Sequence, residues 1–152
     1  MTEAMDEQQL YEQKKHLIKK QACFAKLNDE ELDALAVLFT EKHVDPGQTI
    51  VTQGDSVDSV YIIVSGTAEV QLVSMKDGQI VTKPVATLGP EQAIGLNETG
   101  FYSLSGKRTA TVVSVTQMQL LRLSVAAFHG FALAYSRINE LMRQNAKNVQ
   151  DL

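Results

Sequence analysis

Residues 46–66 read Pro-Gly-Gln-Thr-Ile-Val-Thr-Gln-Gly-Asp-Ser-Val-Asp-Ser-Val-Tyr-Ile-Ile-Val-Ser-Gly, and their punctuation decides the fold class. Asp45-Pro46-Gly47-Gln48 is a turn, because Pro presets one turn angle and Gly supplies the next. Thr49 to Gln53 is a short strand that Gly54-Asp55 breaks. Val60 to Val64 is an apolar run of the length of a buried strand, and Ser65-Gly66 ends it.

The same rhythm continues towards the C-terminus. Thr67 to Met75 alternates, with Ala68, Val70 and Leu72 on one face. Lys76-Asp77-Gly78-Gln79 contains Asp-Gly, the strongest short hairpin signal. Ile80 to Leu88 is the returning strand, and Pro84 within it predicts an edge position or a bulge. Gly89-Pro90 ends it. Arg108 to Val115 and Gln117 to Leu123 read as two more strands. About eight short strands separated by glycine turns indicate an antiparallel roll of the jelly-roll or barrel kind, not a parallel sheet.

Helices flank this β region. Gln8 to Lys20 has helical period, with Leu10, Tyr11, Leu17 and Ile18 on one face. Asn28 caps a second helix, with Glu31 completing a capping-box pattern, and Leu32, Leu35, Ala36 and Leu38/Phe39 form its apolar face. After Ser124, a further cap, Phe128, Phe131, Tyr135, Ile138, Met142, Asn145 and Val149 step by three and four. Gly130 interrupts that pattern and predicts a short helix, a hinge and a longer helix. The seam packs on the roll, pairs two copies in a homodimer, or forms a movable lid through Tyr135, Ile138 and Met142. The chain is thus one domain in three parts: helical residues 1–39, a β-roll over 40–123 and helical residues 124–152.

Composition narrows the function. A formal charge of −4 lacks the clustered positive surface of a nucleic-acid binder, so no direct DNA binding is expected. No apolar run approaches a membrane span, and the polar, acidic N-terminus is unlike a secretion signal. The single cysteine, Cys23, excludes an internal disulfide and fits a reducing, cytoplasmic setting, where it reads as a small buried hydrophobe. His16, His43 and His129 are scattered, and no His, Cys and carboxylate cluster has metal-ligand spacing. A metal-using enzyme would need such ligands on strands, so no metal, no cofactor and no catalytic residue is expected.

Glu98 to Val112 carries the chemistry. A carboxylate opens it, Gly100 and Gly106 lie inside it, and Arg108 leads into the alternating run. A short turn after Glu98 would point unpaired N–H groups at one spot, and Arg108 would bring a planar, permanent charge to it. Such a cup suits a phosphate, and a neighbouring carboxylate suits a sugar hydroxyl. The same residues also read as a plain polar loop with a surface arginine.

Taken together, these pieces resemble the cyclic nucleotide-binding domain family, found in catabolite activator-type regulators, kinase regulatory subunits and cyclic-nucleotide-gated channels. Leu17-Ile18-Lys19-Lys20, Phe24, Leu27 and Asn28 to Leu32 are similar to its helical entry. The glycines at 47, 54 and 66, with their intervening residues, match its roll. Arg108-Thr109-Ala110-Thr111-Val112 matches the second half of its phosphate-binding cassette, which here spans 97–112. The first half departs from the family, and two alignments compete. Either Ile94-Gly95 precedes Leu96 and Asn97 at the cassette start, or Asn97-Glu98 takes the Gly-Glu position, followed by Thr99, Gly100 and Phe101. We favour the second, because it keeps a family-like length between Glu98 and Arg108.

The resemblance implies a non-enzymatic sensor for cyclic AMP (cAMP) or cyclic GMP (cGMP). Arg108 would hold the cyclic phosphate, and Glu98 would accept from the ribose 2′-hydroxyl. The N–H groups of Gly100 and Phe101 would complete the cup, and Thr109 would reach the phosphate or the base. The C-terminal helices would then pass the signal to an effector protein or domain. With few residues after Lys147, the chain is expected to be a stand-alone module or an excised sensor. An interaction or dimerisation module that no longer binds nucleotide is the alternative.

Overall fold

The computed structural model describes residues 6–97, 100–101, 106–138 and 140–141. Helix α1 (Glu7–Lys19) starts at a capping box, in which the Gln9 N–H donates to Asp6 Oδ1 at 2.8 Å. One 3₁₀ turn at Ala22–Phe24 leads to α2 (Asp29–Ala36). Its box is the one expected: the Glu31 N–H donates to Asn28 Oδ1 at 2.8 Å, and the Asn28 N–H donates to Glu31 Oε1 at 2.9 Å.

Ten strands follow in order. They are β1 (Thr40–Val44), β2 (Thr49–Val51), β3 (Ser59–Ser65), β4 (Ala68–Lys76), β5 (Gln79–Leu88), β6 (Ala93–Ile94), β7 (Leu96–Asn97), β8 (Gly100–Phe101), β9 (Thr111–Ser114) and β10 (Met118–Ser124). Eight of them form two antiparallel sheets, β1-β10-β3-β6 and β2-β9-β4-β5, and β7 pairs with β8. This is the antiparallel β-roll that the turn spacing predicts, flanked by helices at both ends.

The turns obey their residues. Gly47 has φ +82° and the Gln48 N–H donates back to Asp45 at 3.4 Å. Asp77 and Gly78 both have positive φ, at 51° and 78°, as a tight hairpin turn requires. Pro84 satisfies both of its expectations at once. β5 is the edge of its sheet, and the register steps from Val70–Ala86 to Gln71–Pro84, leaving Val85 as the extra residue of a bulge. Gly66 has φ +92°, and a Cβ there would lie 2.4 Å from the Gln117 carbonyl oxygen, so only glycine fits this corner.

β3 is buried on both faces, which explains its unbroken apolar run. Tyr61 and Ile63 point into the roll with Val51, Ile94, Val112 and Leu120. Val60 and Ile62 point outwards, under the helices, with Leu17, Ile18, Phe24, Leu35, Leu121 and Leu123. Fully burying such a side chain stabilises by about 1.5–3 kcal/mol.

Two expectations need correction. The strand expected from Arg108 begins only at Thr111, because the backbone of Arg108 is tied elsewhere: its N–H donates to Asp55 at 2.7 Å and its carbonyl accepts from Gly54 at 2.9 Å. The short helix, break and further helical segment follow as expected, but the break does not fall at Gly130. Helix α3 (Val125–Ala134) is capped by Ser124, runs through Gly130 and breaks at Tyr135, which has φ −123° and ψ 88°. Helical backbone resumes at 136–138. One glycine costs a helix only about 1 kcal/mol, whereas the break at Tyr135 accompanies the burial of both Phe131 and Ile138 in one cluster. Among the described residues no helix is long and apolar enough to cross a membrane.

Candidate functional site

Arg108 is presented by a clasp between two loops. Besides the two bonds to Gly54 and Asp55, the Val57 N–H donates to Gly106 at 2.7 Å and Ser56 bridges Lys107. Gly54-Asp55, which ends β2 in the sequence, thus holds the arginine in place.

The Arg108 side chain is only 6% exposed. Its Nη2 donates to the Ser59 carbonyl at 2.6 Å and lies 3.6 Å from Asp58 Oδ1. The Ser59 hydroxyl in turn donates to Asp58 at 2.9 Å. Nη1 is buried and has no hydrogen-bond partner among the described residues. Burial lowers the pKa of the guanidinium from its ordinary value, while Tyr61, Asp58 and Asp55 raise it and Arg122 lowers it further. An arginine nevertheless stays charged in a protein. A buried, charged donor without an acceptor is costly, and an anion beside Nη1 would relieve that cost.

Gly95 makes room for this group. It has φ +82°, and a Cβ on it would stand 2.6 Å from Arg108 Nη1. A cavity of about 310 Å³ opens beside the pair, within the size range of small-molecule sites. Val51, Val57, Val70, Leu88, Ile94 and Val112 give it apolar walls, and Lys107, Thr109, Ala110, Gly95 and Leu96 also line it.

The predicted site residues divide accordingly. Arg108, Thr109 and Ala110 come together, and so do Gly95 and Leu96 of the alternative cassette start. Asn97 lies in β7, and Gly100 and Phe101 form β8 opposite it. Glu98 and Thr99 lie outside the described residues, as do the side chains of Asn97 and Phe101. Ile138 is fully buried and Tyr135 half-buried in the outer cluster, and Met142 lies outside the described residues. Sequence reasoning missed Asp58 and the Ser59 carbonyl. A backbone acceptor leaves no side-chain signal, although a lone carboxylate just before an apolar strand was a visible one. Among the described residues no group of His, Cys, Asp and Glu could hold a metal ion.

Fold and site together define an antiparallel β-roll with a ligand-sized cavity beside a buried arginine. The family model of the cyclic nucleotide-binding domain matches residues 41–135, and the chain belongs to that family. It is 30% identical over 139 residues to the potassium channel AKT2 of Oryza sativa subsp. japonica. That match covers 82% of this chain but only 15% of the length of the channel. Solved structures share the fold. The N-terminal domain of a transcriptional regulator from Streptomyces coelicolor A3(2) matches with a TM-score of 0.73 and 23% identity, covering 89% of this chain and 91% of that one. The regulatory domain of Toxoplasma gondii PKA, solved with cAMP, matches with a TM-score of 0.69 and 24% identity, over 84% of this chain and 46% of that one. The catabolite activator protein of Thermus thermophilus matches with a TM-score of 0.63 and 25% identity, over 86% and 57% of the two chains.

Proposed function

We propose that this chain is the sensor of a 3′,5′-cyclic nucleotide, cAMP or cGMP, whose phosphate is held by Arg108. The observation that carries this reading is the buried Nη1 of Arg108, which has no partner among the described residues and stands beside the cavity. One face of the guanidinium is fixed by Ser59, leaving a pre-aligned donor for a phosphate oxygen. The apolar walls suit a purine, and Thr109 belongs to the same lining.

In this reading the response runs through the C-terminal helical segment. Arg137 pairs with the buried Glu31 of α2 and donates to the Lys26 carbonyl at 3.1 Å, so the segment is fastened to the N-terminal helices. A ligand that prefers one arrangement of these helices shifts their equilibrium by its difference in affinity for the two. Calorimetric titration with cAMP, cGMP and the linear 5′-monophosphates tests the function. Saturable binding of a cyclic form, with the linear forms weaker, is expected; no binding by either cyclic nucleotide at millimolar concentration would defeat the reading.

A further inference from the structure

Val73 of β4 is hydrogen-bonded to a side chain where a strand would continue. β9 pairs with β4 in one register, Ala68–Ser114, Glu69–Val113, Val70–Val112 and Gln71–Thr111. Two residues further on, that register would set Val73 against Thr109. Yet β9 begins at Thr111, and among the described residues neither Thr109 nor Ala110 enters the ladder. The rung at Val73 is filled all the same. The Gln53 side chain donates through Nε2 to the Val73 carbonyl at 3.0 Å, and its Oε1 accepts from the Val73 N–H at 2.8 Å. A residue makes the same two bonds with its partner in a hydrogen-bonded antiparallel pair.

Gln53 is well placed for this. It lies just past β2, which flanks β9 on the side away from β4. Its own N–H donates to the Thr111 hydroxyl at 3.0 Å. Neighbouring strands are about 4.8 Å apart, so β2 and β4 stand roughly 10 Å apart across β9. Where β9 has not yet begun, the glutamine side chain bridges that gap. Residues 108–110 are thereby released from the sheet. Arg108 gives its backbone groups to Gly54 and Asp55, the two residues after Gln53, and Thr109 and Ala110 line the cavity. We propose that Gln53 is a positioning residue for the anion site: its amide occupies the rung that Thr109 would otherwise take, and so keeps residues 108–110 at the cavity. The inference rests on the reading of that cavity as the nucleotide site.

The test compares two variants of the whole chain with the parent. Gln53→Met keeps the length of the side chain and removes both bonds. Calorimetric titration with cAMP and cGMP should show affinity lowered by about tenfold or more, the shift expected when two hydrogen bonds no longer favour the binding arrangement. The Val73 amide should exchange with solvent faster than in the parent. Gly78→Ala strains the turn of the same hairpin, where φ is +78°, and leaves the Gln53 bonds in place. It should lower the melting temperature and bind as the parent does. A folded Gln53→Met variant with the affinity of the parent would overturn the role of Gln53 while leaving Arg108 as the phosphate ligand. An equal loss of affinity in Gly78→Ala would overturn it too, because a loosened hairpin would then be cause enough. If the parent binds neither nucleotide, the cyclic nucleotide reading fails and the inference fails with it.

Discussion

At the scale of single residues, Gly95 and Arg108 work as a pair. Gly95→Ala must place a side chain in left-handed backbone, at about 1–2 kcal/mol. It must also displace a guanidinium that would otherwise stand 2.6 Å from the new Cβ. Nucleotide affinity should fall at least tenfold, with only a modest drop in melting temperature; unchanged affinity would mean that the Gly95 approach does not set the position of Arg108. Cys23 offers a different check. Burial pushes its thiol up to about 12, from an ordinary value of 9.0. The folded thiol therefore keeps its proton at pH values where the unfolded one loses it. The contribution of this group is complete below about pH 9 and declines as pH rises towards about 12, with a slope of up to about 1.4 kcal/mol per pH unit. Denaturant titrations from pH 8 to pH 11 should show a smaller alkaline loss of stability in Cys23→Ala than in the parent, and equal losses would argue against the buried thiol as a cause. Arg108 was legible because a permanently charged fork at the head of Thr-Ala-Thr-Val, next to a glycine-containing loop, stands out from its neighbours. Its anchor on the Ser59 carbonyl was not, since main-chain acceptors are the same in every sequence.

At the scale of elements, the capping box of α2 also serves as a fastening. Glu31 closes the first turn of its own helix and also pairs with Arg137, beyond the break at Tyr135. Arg137→Ala leaves a buried carboxylate with its cap alone, and stability should drop by about 1–3 kcal/mol. Amide exchange at residues 136–138 should rise more than exchange in β3. Equal protection in the variant and the parent would show that Ile138 alone secures the segment. The elements also show where pattern reading succeeds. Turns at Pro46-Gly47 and Asp77-Gly78 were legible because each needs a backbone angle that few residues adopt. The helix break was misplaced because Gly130 is a weak breaker, whereas Tyr135 departs from the helix where tertiary packing wins over propensity. The start of β9 was misplaced for a related reason. Alternation from Arg108 onwards looks like a strand, yet the clasp with Gly54 and Asp55 takes those backbone groups first.

At the scale of the molecule, one sheet separates two cores. The inner core holds the cavity, and the outer core holds α1, α2 and the C-terminal helices, with β3 and β10 contributing alternate residues to both. The roll was legible from turn spacing. The division into two cores was visible only as an apolar run in β3 too continuous for a half-exposed strand. The cavity is lined from the inner core through Val51, Ile94 and Val112, and the helices pack on the outer one. Ligand at about a hundred times its Kd adds roughly 2.7 kcal/mol to the state that binds it. In the proposed function Arg108 is the anion ligand. The most direct measurement is calorimetric titration of Arg108→Ala beside the parent chain, with thermal melting to confirm that the variant folds. Losing a buried charge-assisted contact costs roughly 2–5 kcal/mol, so affinity for the cyclic nucleotide should fall by about thirtyfold to a few thousandfold. A folded Arg108→Ala variant that binds as tightly as the parent would contradict the claim.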